Sequence, residues 1–175
     1  MALELGKPIV DFALPGVDGK TYSPADFADK PVLVVVFWCN HCPYVKAYED
    51  RTIALAKEFA DKVAFVAINA NDAVKYPEDS FEHMQQRAKE KGYPFPYLHD
   101  ESQEIARAYG ATRTPEFFVF DSNRVLRYHG RLDDNWENPA DVKEQYLRDA
   151  LNALLNGQEP PVKETEPVGC TVKWK

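Results

Sequence analysis

Between Pro31 and Phe37 the chain reads Pro31-Val32-Leu33-Val34-Val35-Val36-Phe37, apolar throughout and mostly β-branched, with no polar alternation. Such a strand offers no face to water. It must be covered on both sides and belongs at the centre of a sheet. It stops at Trp38-Cys39-Asn40-His41-Cys42-Pro43, and a helical pattern follows. Tyr44, Val45, Ala47, Tyr48, Ile53, Leu55, Ala56 and Phe59 recur mostly at helical spacing up to Ala60. Pro43 is tolerated because it falls in the first turn. Two cysteines separated by two residues are thus placed between a buried strand and a helix start. The rest of the chain reads as the scaffold that holds them.

With 175 residues, 45% of them hydrophobic, one domain with a full core is expected. The formal net charge is −7, and no basic block is present. Nucleic acid and anionic membrane surfaces are therefore not expected as partners. No apolar run approaches the roughly 20 residues that span a bilayer. Met1-Ala2-Leu3-Glu4-Leu5 has an early acid and no long apolar stretch, unlike a signal peptide. A cytoplasmic location follows as an expectation. Three cysteines are odd in number and too few for a disulfide scaffold. In a reducing compartment a CxxC pair is redox-active or metal-binding more often than structural.

Ahead of the central strand, Ile9 to Leu14 has strand character, and Asp18-Gly19 is a hairpin signal. Ser23-Pro24 reads as the cap and first residue of a short helix. After the CxxC helix, Val63 to Ile68 is a second apolar strand that ends in Asn69-Ala70-Asn71-Asp72. Asp79 and Glu82 have capping-box spacing for a helix to about Lys91. Pro94 to Leu98 is extended, and Asp100 caps a helix from Glu101 to Tyr109. Glu116 to Phe120 and Arg124 to His129 form a hairpin. Asn138-Pro139 opens a last amphipathic helix to Leu155. The order is βαβ, a helical insertion, ββ, then α. It predicts an α/β fold with a central mixed sheet, helices on both faces and an N-terminal hairpin. Residues 1–157 would form the domain and residues 158–175 an extended tail packed on it.

A thiol attacks a disulfide only as thiolate, so a redox CxxC must lower one cysteine pKa. With Cys39 at the mouth of the helix, the unpaired N–H groups and the helix dipole would favour its anion. Cys42, one turn inside, would close the disulfide. On this reading Cys39 is the exposed nucleophile and Cys42 the resolving thiol. His41, when protonated, would stabilise the Cys39 thiolate further. A zinc site would need a second CxxC or an HxxxH, and neither is present. Cys170 with His41 would complete a three-Cys, one-His set only with His41 poorly placed between two ligands.

Trp38-Cys39-Asn40-His41-Cys42-Pro43, followed by Gly110-Ala111-Thr112-Arg113-Thr114-Pro115-Glu116-Phe117-Phe118-Val119-Phe120-Asp121, resembles the thioredoxin-like superfamily. The lead-in Phe12-Ala13-Leu14-Pro15-Gly16-Val17-Asp18-Gly19-Lys20 resembles its redoxin branch, that of alkyl hydroperoxide reductase and thiol-specific antioxidant. The nearest likeness is to the peroxiredoxin-like group with a CNHCPYVK motif and a GC-x-x-KW tail, here Gly169-Cys170-Thr171-Val172-Lys173-Trp174. The resemblance implies a thioredoxin-like fold, a cis Pro115 facing the cysteines, and a Thr114 whose backbone pairs with an extended substrate segment.

Two departures matter. The strand Val32 to Phe37 carries no acid beneath the cysteines, which leaves Glu116 or a water as the base for Cys42. The Pro-x-x-x-Thr/Ser-x-x-Cys loop of peroxiredoxins is absent ahead of Cys39 and Cys42. Arg113 is a candidate positive charge near the thiolate. Cys170 is either a third redox partner or an inert thiol in a docked tail. The expectation is a thiol–disulfide oxidoreductase that needs no cofactor or metal. It would act on protein or small-molecule disulfides, draw electrons from an external thiol, and be a monomer or homodimer. The alternatives are a peroxiredoxin-like peroxidase and a non-enzymatic metal- or partner-binding module.

Overall fold

The computed structural model describes residues 1–175. In chain order its elements are β1 (Leu14–Pro15), β2 (Thr21–Tyr22), β3 (Val32–Phe37), α1 (Pro43–Glu58), β4 (Val63–Asn69), α2 (Phe81–Lys91), β5 (Tyr97–His99), α3 (Glu104–Tyr109), β6 (Arg113–Thr114), β7 (Glu116–Phe120), β8 (Leu126–Gly130), α4 (Tyr146–Leu155) and β9 (Cys170–Thr171). The central sheet has the order β5-β4-β3-β7-β8. β3 runs parallel to β4 and β4 to β5, while β7 is antiparallel to both β3 and β8. The crossover through α1 makes the first pair parallel, and the hairpin makes the last pair antiparallel. The mixed sheet read from the sequence is the one that forms.

All six side chains of β3 are at most 1% exposed. Their alternation splits them between two core layers. Val32, Val34 and Val36 pack with Val45 and Tyr48 of α1 and Leu147 and Leu151 of α4. Leu33, Val35 and Phe37 pack with Phe12 and with Ala106 and Tyr109 of α3. Burial of a Val, Leu or Phe side chain contributes roughly 1.5–3 kcal/mol. β3 is therefore the fixed axis of the fold, and the dithiol sits at its C-terminal end. No helix is long and apolar enough to cross a membrane.

Several local expectations are corrected. The N-terminal hairpin pairs only Leu14 with Tyr22 and Pro15 with Thr21. Ile9 donates its N–H to Arg124 O at 2.8 Å, so the lead-in crosses the hairpin turn and does not run as a strand. Asp79 does not cap α2. A 3₁₀ turn, Pro77–Asp79, points Asp79 inward, and Ser80 takes the cap, accepting from His83 N at 3.2 Å. The cap residue of α3 is Gln103, not Asp100, and the helix starts only at Glu104; the Asp100 carboxylate still accepts from Ala106 N in its first turn at 2.8 Å. Asn138 caps a separate 3₁₀ turn, Pro139–Asp141. Val142 then turns extended, and α4 begins at Tyr146.

The tail runs over the body in extended form. His129 N donates to Lys163 O at 3.1 Å and Thr165 N to His129 O at 3.0 Å. Gly130 lets the tail come this close: its φ is +146°, and a Cβ there would lie 2.1 Å from Thr165 Oγ1. Further on, β9 adds antiparallel to β6, with Arg113 opposite Thr171 and Thr114 opposite Cys170.

Candidate functional site

The residue before a proline is biased against helical backbone. Cys42 precedes Pro43 and accordingly adopts φ −63°, ψ 130°, which makes it the N-cap of α1. This corrects the expected arrangement: Cys42, not Cys39, sits at the helix mouth, and the helix starts behind it. Cys39 is also not the exposed thiol. Cys39 is 1% and Cys42 2% exposed. Both sulfurs meet Thr114. Cys39 Sγ is 3.5 Å from Thr114 Oγ1, and Cys42 Sγ is 3.5 Å from Thr114 O, which accepts from it when it is protonated. The Thr114–Pro115 peptide is cis, as the resemblance implied.

The two thiols titrate as a coupled pair, and their surroundings are unequal. Cys42 is pulled down by the hydrogen bond from the Cys39 thiol, against the effect of burial, with further donors in the Cys170 thiol and the Val45 and Cys170 N–H groups. Cys39 is pushed well up by its hydrogen bond to Cys42, by burial, and by the charges of Cys42 and Asp79, with Thr114 acting in the other direction. Both directions favour the anion on Cys42 over the anion on Cys39.

The CxxC loop rests on a buried polar network that local sequence reading missed. Asp79 is 0% exposed. Its carboxylate accepts from Asn40 N at 2.8 Å, Asn69 Nδ2 at 3.1 Å and Asn71 Nδ2 at 3.0 Å. Tyr97 OH donates to Asn40 Oδ1 at 2.7 Å and accepts from Asn69 Nδ2 at 3.1 Å. Buried carboxylates persist where such donors satisfy them. One signal was present in the sequence: Asp79 and Ser80 are adjacent candidate caps, and a helix needs only one. The polar run Asn69-Ala70-Asn71-Asp72 does reach the site, but as the floor of this network and as an anchor for the tail. Lys173 N donates to Asn71 Oδ1 at 2.9 Å and Asp72 N to Lys173 O at 2.8 Å.

The structure also places three accessory residues. The His41 ring nitrogens face carboxylates: Nδ1 lies 3.1 Å from Asp79 Oδ2, not aligned for a hydrogen bond, and Nε2 lies 3.4 Å from Glu78 Oε1. Glu116 is not a free base. Its Oε1 accepts from Thr112 N at 2.9 Å and Arg113 N at 3.0 Å, and its Oε2 meets His129 Nε2 at 2.6 Å. Arg113 extends to the tail, Nη1 to Gly169 O at 3.4 Å. Cys170, by contrast, joins the site: it packs against the core cluster that holds both cysteines and lies opposite Thr114, the residue both sulfurs meet. No three His, Cys, Asp or Glu side chains converge as a metal site.

A Redoxin family model matches residues 4–146. The chain belongs to the Redoxin family. The thiol:disulfide interchange protein DsbE of Yersinia pestis is 30% identical over 139 residues, 76% of this chain and 69% of that one. Thioredoxin-like protein YneN of Bacillus subtilis (strain 168) is 28% identical over 127 residues, 73% of this chain and 71% of that one. The crystal structure of an uncharacterized conserved protein from Geobacillus kaustophilus is 46% identical with a TM-score of 0.93, covering 98% of this chain and 93% of that one. The fold of this redoxin is thioredoxin-like, as the CxxC and Thr114-Pro115 motifs implied. The family match ends at residue 146, ahead of the tail strand that pairs with Thr114.

Proposed function

We propose that this redoxin is a thiol–disulfide oxidoreductase whose redox group is the Cys39–Cys42 pair. The observation that carries the reading is the geometry of the pair: two adjacent thiols, each 3.5 Å from Thr114 and beside cis Pro115, with Cys42 at the N-cap of α1. Exchange needs one thiolate to attack and one thiol to resolve. The Cys42 thiolate attacks one sulfur of an incoming disulfide, the other sulfur leaves as a thiolate, and a mixed disulfide forms on Cys42. Cys39 then loses its proton and attacks Cys42 Sγ. This closes the Cys39–Cys42 disulfide and releases the substrate reduced. An external thiol of the cell reverses the cycle. The roles differ from the sequence expectation because Cys42, not Cys39, is the N-cap of α1, where the helix N–H groups and dipole favour an anion. Thr114 positions both sulfurs, and Asp79 and Asn40 hold the loop.

The test is a redox titration in a glutathione series with alkylation and mass measurement. A single two-electron transition joining Cys39 to Cys42 is expected, and absence of that disulfide at every ratio refutes the reading. Trapping with a disulfide peptide assigns the roles. With Cys170 also replaced by Ser, Cys39→Ser should accumulate the mixed disulfide, whereas accumulation by Cys42→Ser alone restores Cys39 as nucleophile. The thiolate absorbance should be present at neutral pH, fade as the pH falls through about 5, and be absent at neutral pH from Cys42→Ser.

A further inference from the structure

The strand β6 is two residues long, and its one strand partner is β9 of the tail. An exposed strand edge beside a catalytic sulfur is where an extended peptide adds by backbone pairing. Here the chain fills that edge with its own residues. The register places Cys170 directly opposite Thr114, whose carbonyl is 3.5 Å from Cys42 Sγ. Directly opposed residues in an antiparallel pair lie about 4.5–5.5 Å apart at Cα, and Cys170 packs against the core cluster that contains Cys42.

The docking is built in. Val172 N continues the ladder to Thr112 O at 3.0 Å. Val172 is 3% exposed. Gly169 crosses the Thr114–Pro115 peptide so closely that a Cβ would lie 2.1 Å from Thr114 O. Gln103 Nε2 donates to Lys173 O at 2.9 Å, and its Oε1 accepts from Lys175 N at 3.1 Å.

We propose that Cys170 is a third redox thiol of this site, held by the tail in the place of a substrate sulfur and exchanging with Cys42. The proposal rests on the dithiol reading above. In the exchange the Cys170 thiolate attacks Cys42 Sγ of the Cys39–Cys42 disulfide. The Cys42–Cys170 bond forms and the Cys39–Cys42 bond breaks. Cys39 leaves as a thiolate and takes up a proton equivalent to the one Cys170 lost. No net oxidation occurs: the disulfide moves outward, from the buried pair to the tail strand, where an external thiol of the glutathione class reduces it. Burial, the hydrogen bond to Cys42 and the Cys42 charge hold Cys170 protonated at rest, and Lys173 acts against them. Oxidation of Cys42 removes its charge and so lifts one of the effects that hold Cys170 protonated, while burial remains.

The test uses the full chain and four variants in a glutathione series, with alkylation and mass mapping of linked peptides. In Cys39→Ser the Cys42–Cys170 peptide should exceed the Cys42–glutathione adduct by roughly tenfold or more, because the tail thiol is presented at a high effective concentration. Cys39→Ala repeats the measurement without burying a hydroxyl. The wild-type protein should show both Cys39–Cys42 and Cys42–Cys170 peptides. Gly169→Ala combined with Cys39→Ser should shift the product toward the glutathione adduct. Glutathione on Cys42 with Cys170 fully alkylated, in both Cys39 variants, overturns the proposal. Cys170→Ser separates the two readings. If it keeps the Cys39–Cys42 disulfide, the dithiol reading stands whatever Cys170 does. If it forms none, the dithiol reading fails and this proposal with it.

Discussion

Two carboxylates are buried next to this dithiol, and they do opposite things. Asp79 is 0% and Glu116 1% exposed. Asp79 is hydrogen-bonded by one backbone N–H and two asparagine amides, and the His41 ring, 3.1 Å away, is not aligned to donate to it. Its charge reaches Cys39, which it helps keep protonated. Glu116 is held by two backbone N–H groups and by His129, whose other nitrogen lies 3.1 Å from Glu164 of the tail. Burial alone would lower the His129 pKa, but the hydrogen bonds and charges of Glu116 and Glu164 outweigh it and raise it. A buried acid paired with a cation is a structural element. A buried acid satisfied by dipoles remains an electrostatic one. The pairing partner, more than the burial, decides which of the two acts on the thiols.

The largest effect should come from breaking the ion pair. Glu116→Ala leaves His129 without its principal partner and two N–H groups without an acceptor. It should cost about 3–5 kcal/mol in urea denaturation, while the surviving folded protein keeps the low Cys42 alkylation midpoint. An unchanged stability would mean that the two acids are not different in kind. Asp79→Asn should cost less, about 1–3 kcal/mol. Unlike Glu116→Ala, it should make Cys39 more acidic, read as a fall in its alkylation midpoint with pH. No movement of that midpoint would remove Asp79 from the electrostatics of the pair.

His129 sharpens the comparison through pH. Its folded pKa is raised above the unfolded 6.5, so its stabilisation is complete below about 6.5 and is lost as pH rises through the folded value. Urea midpoints should therefore fall between pH 6 and pH 8, a window chosen around the ordinary histidine pKa of about 6.5. His129→Gln should flatten that slope, whereas Asp79→Asn should leave it in place. The smallest effect belongs to the end of the tail. Trp174 is 36% exposed and lies under the Arg107 guanidinium, 5.1 Å from ring centroid to Cζ. Trp174→Ala should cost about 0.5–1 kcal/mol and should raise proteolysis of the tail without moving either carboxylate's effect.

Strand β3, helix α1, the β7–β8 hairpin and the dithiol between strand and helix were determined by the sequence itself. Their signals are local: an unbroken β-branched run, a helical period, a turn, a CxxC before a proline. The position of Cys42 outside the helix was also present in Pro43, through the conformational bias on the preceding residue. What only the tertiary structure decided are the partners of groups far apart in the chain. Asp79 has good capping chemistry, and only the packing of its 3₁₀ turn against Asn40, Asn69 and Asn71 made it a buried acid. Glu116 had the right place for a base, until His129 arrived across the hairpin. The tail carried no strand pattern, and β9 exists because β6 offered it an unpaired edge. Side-chain charge and backbone pairing are settled by neighbours, and neighbours distant in sequence leave no local period to read.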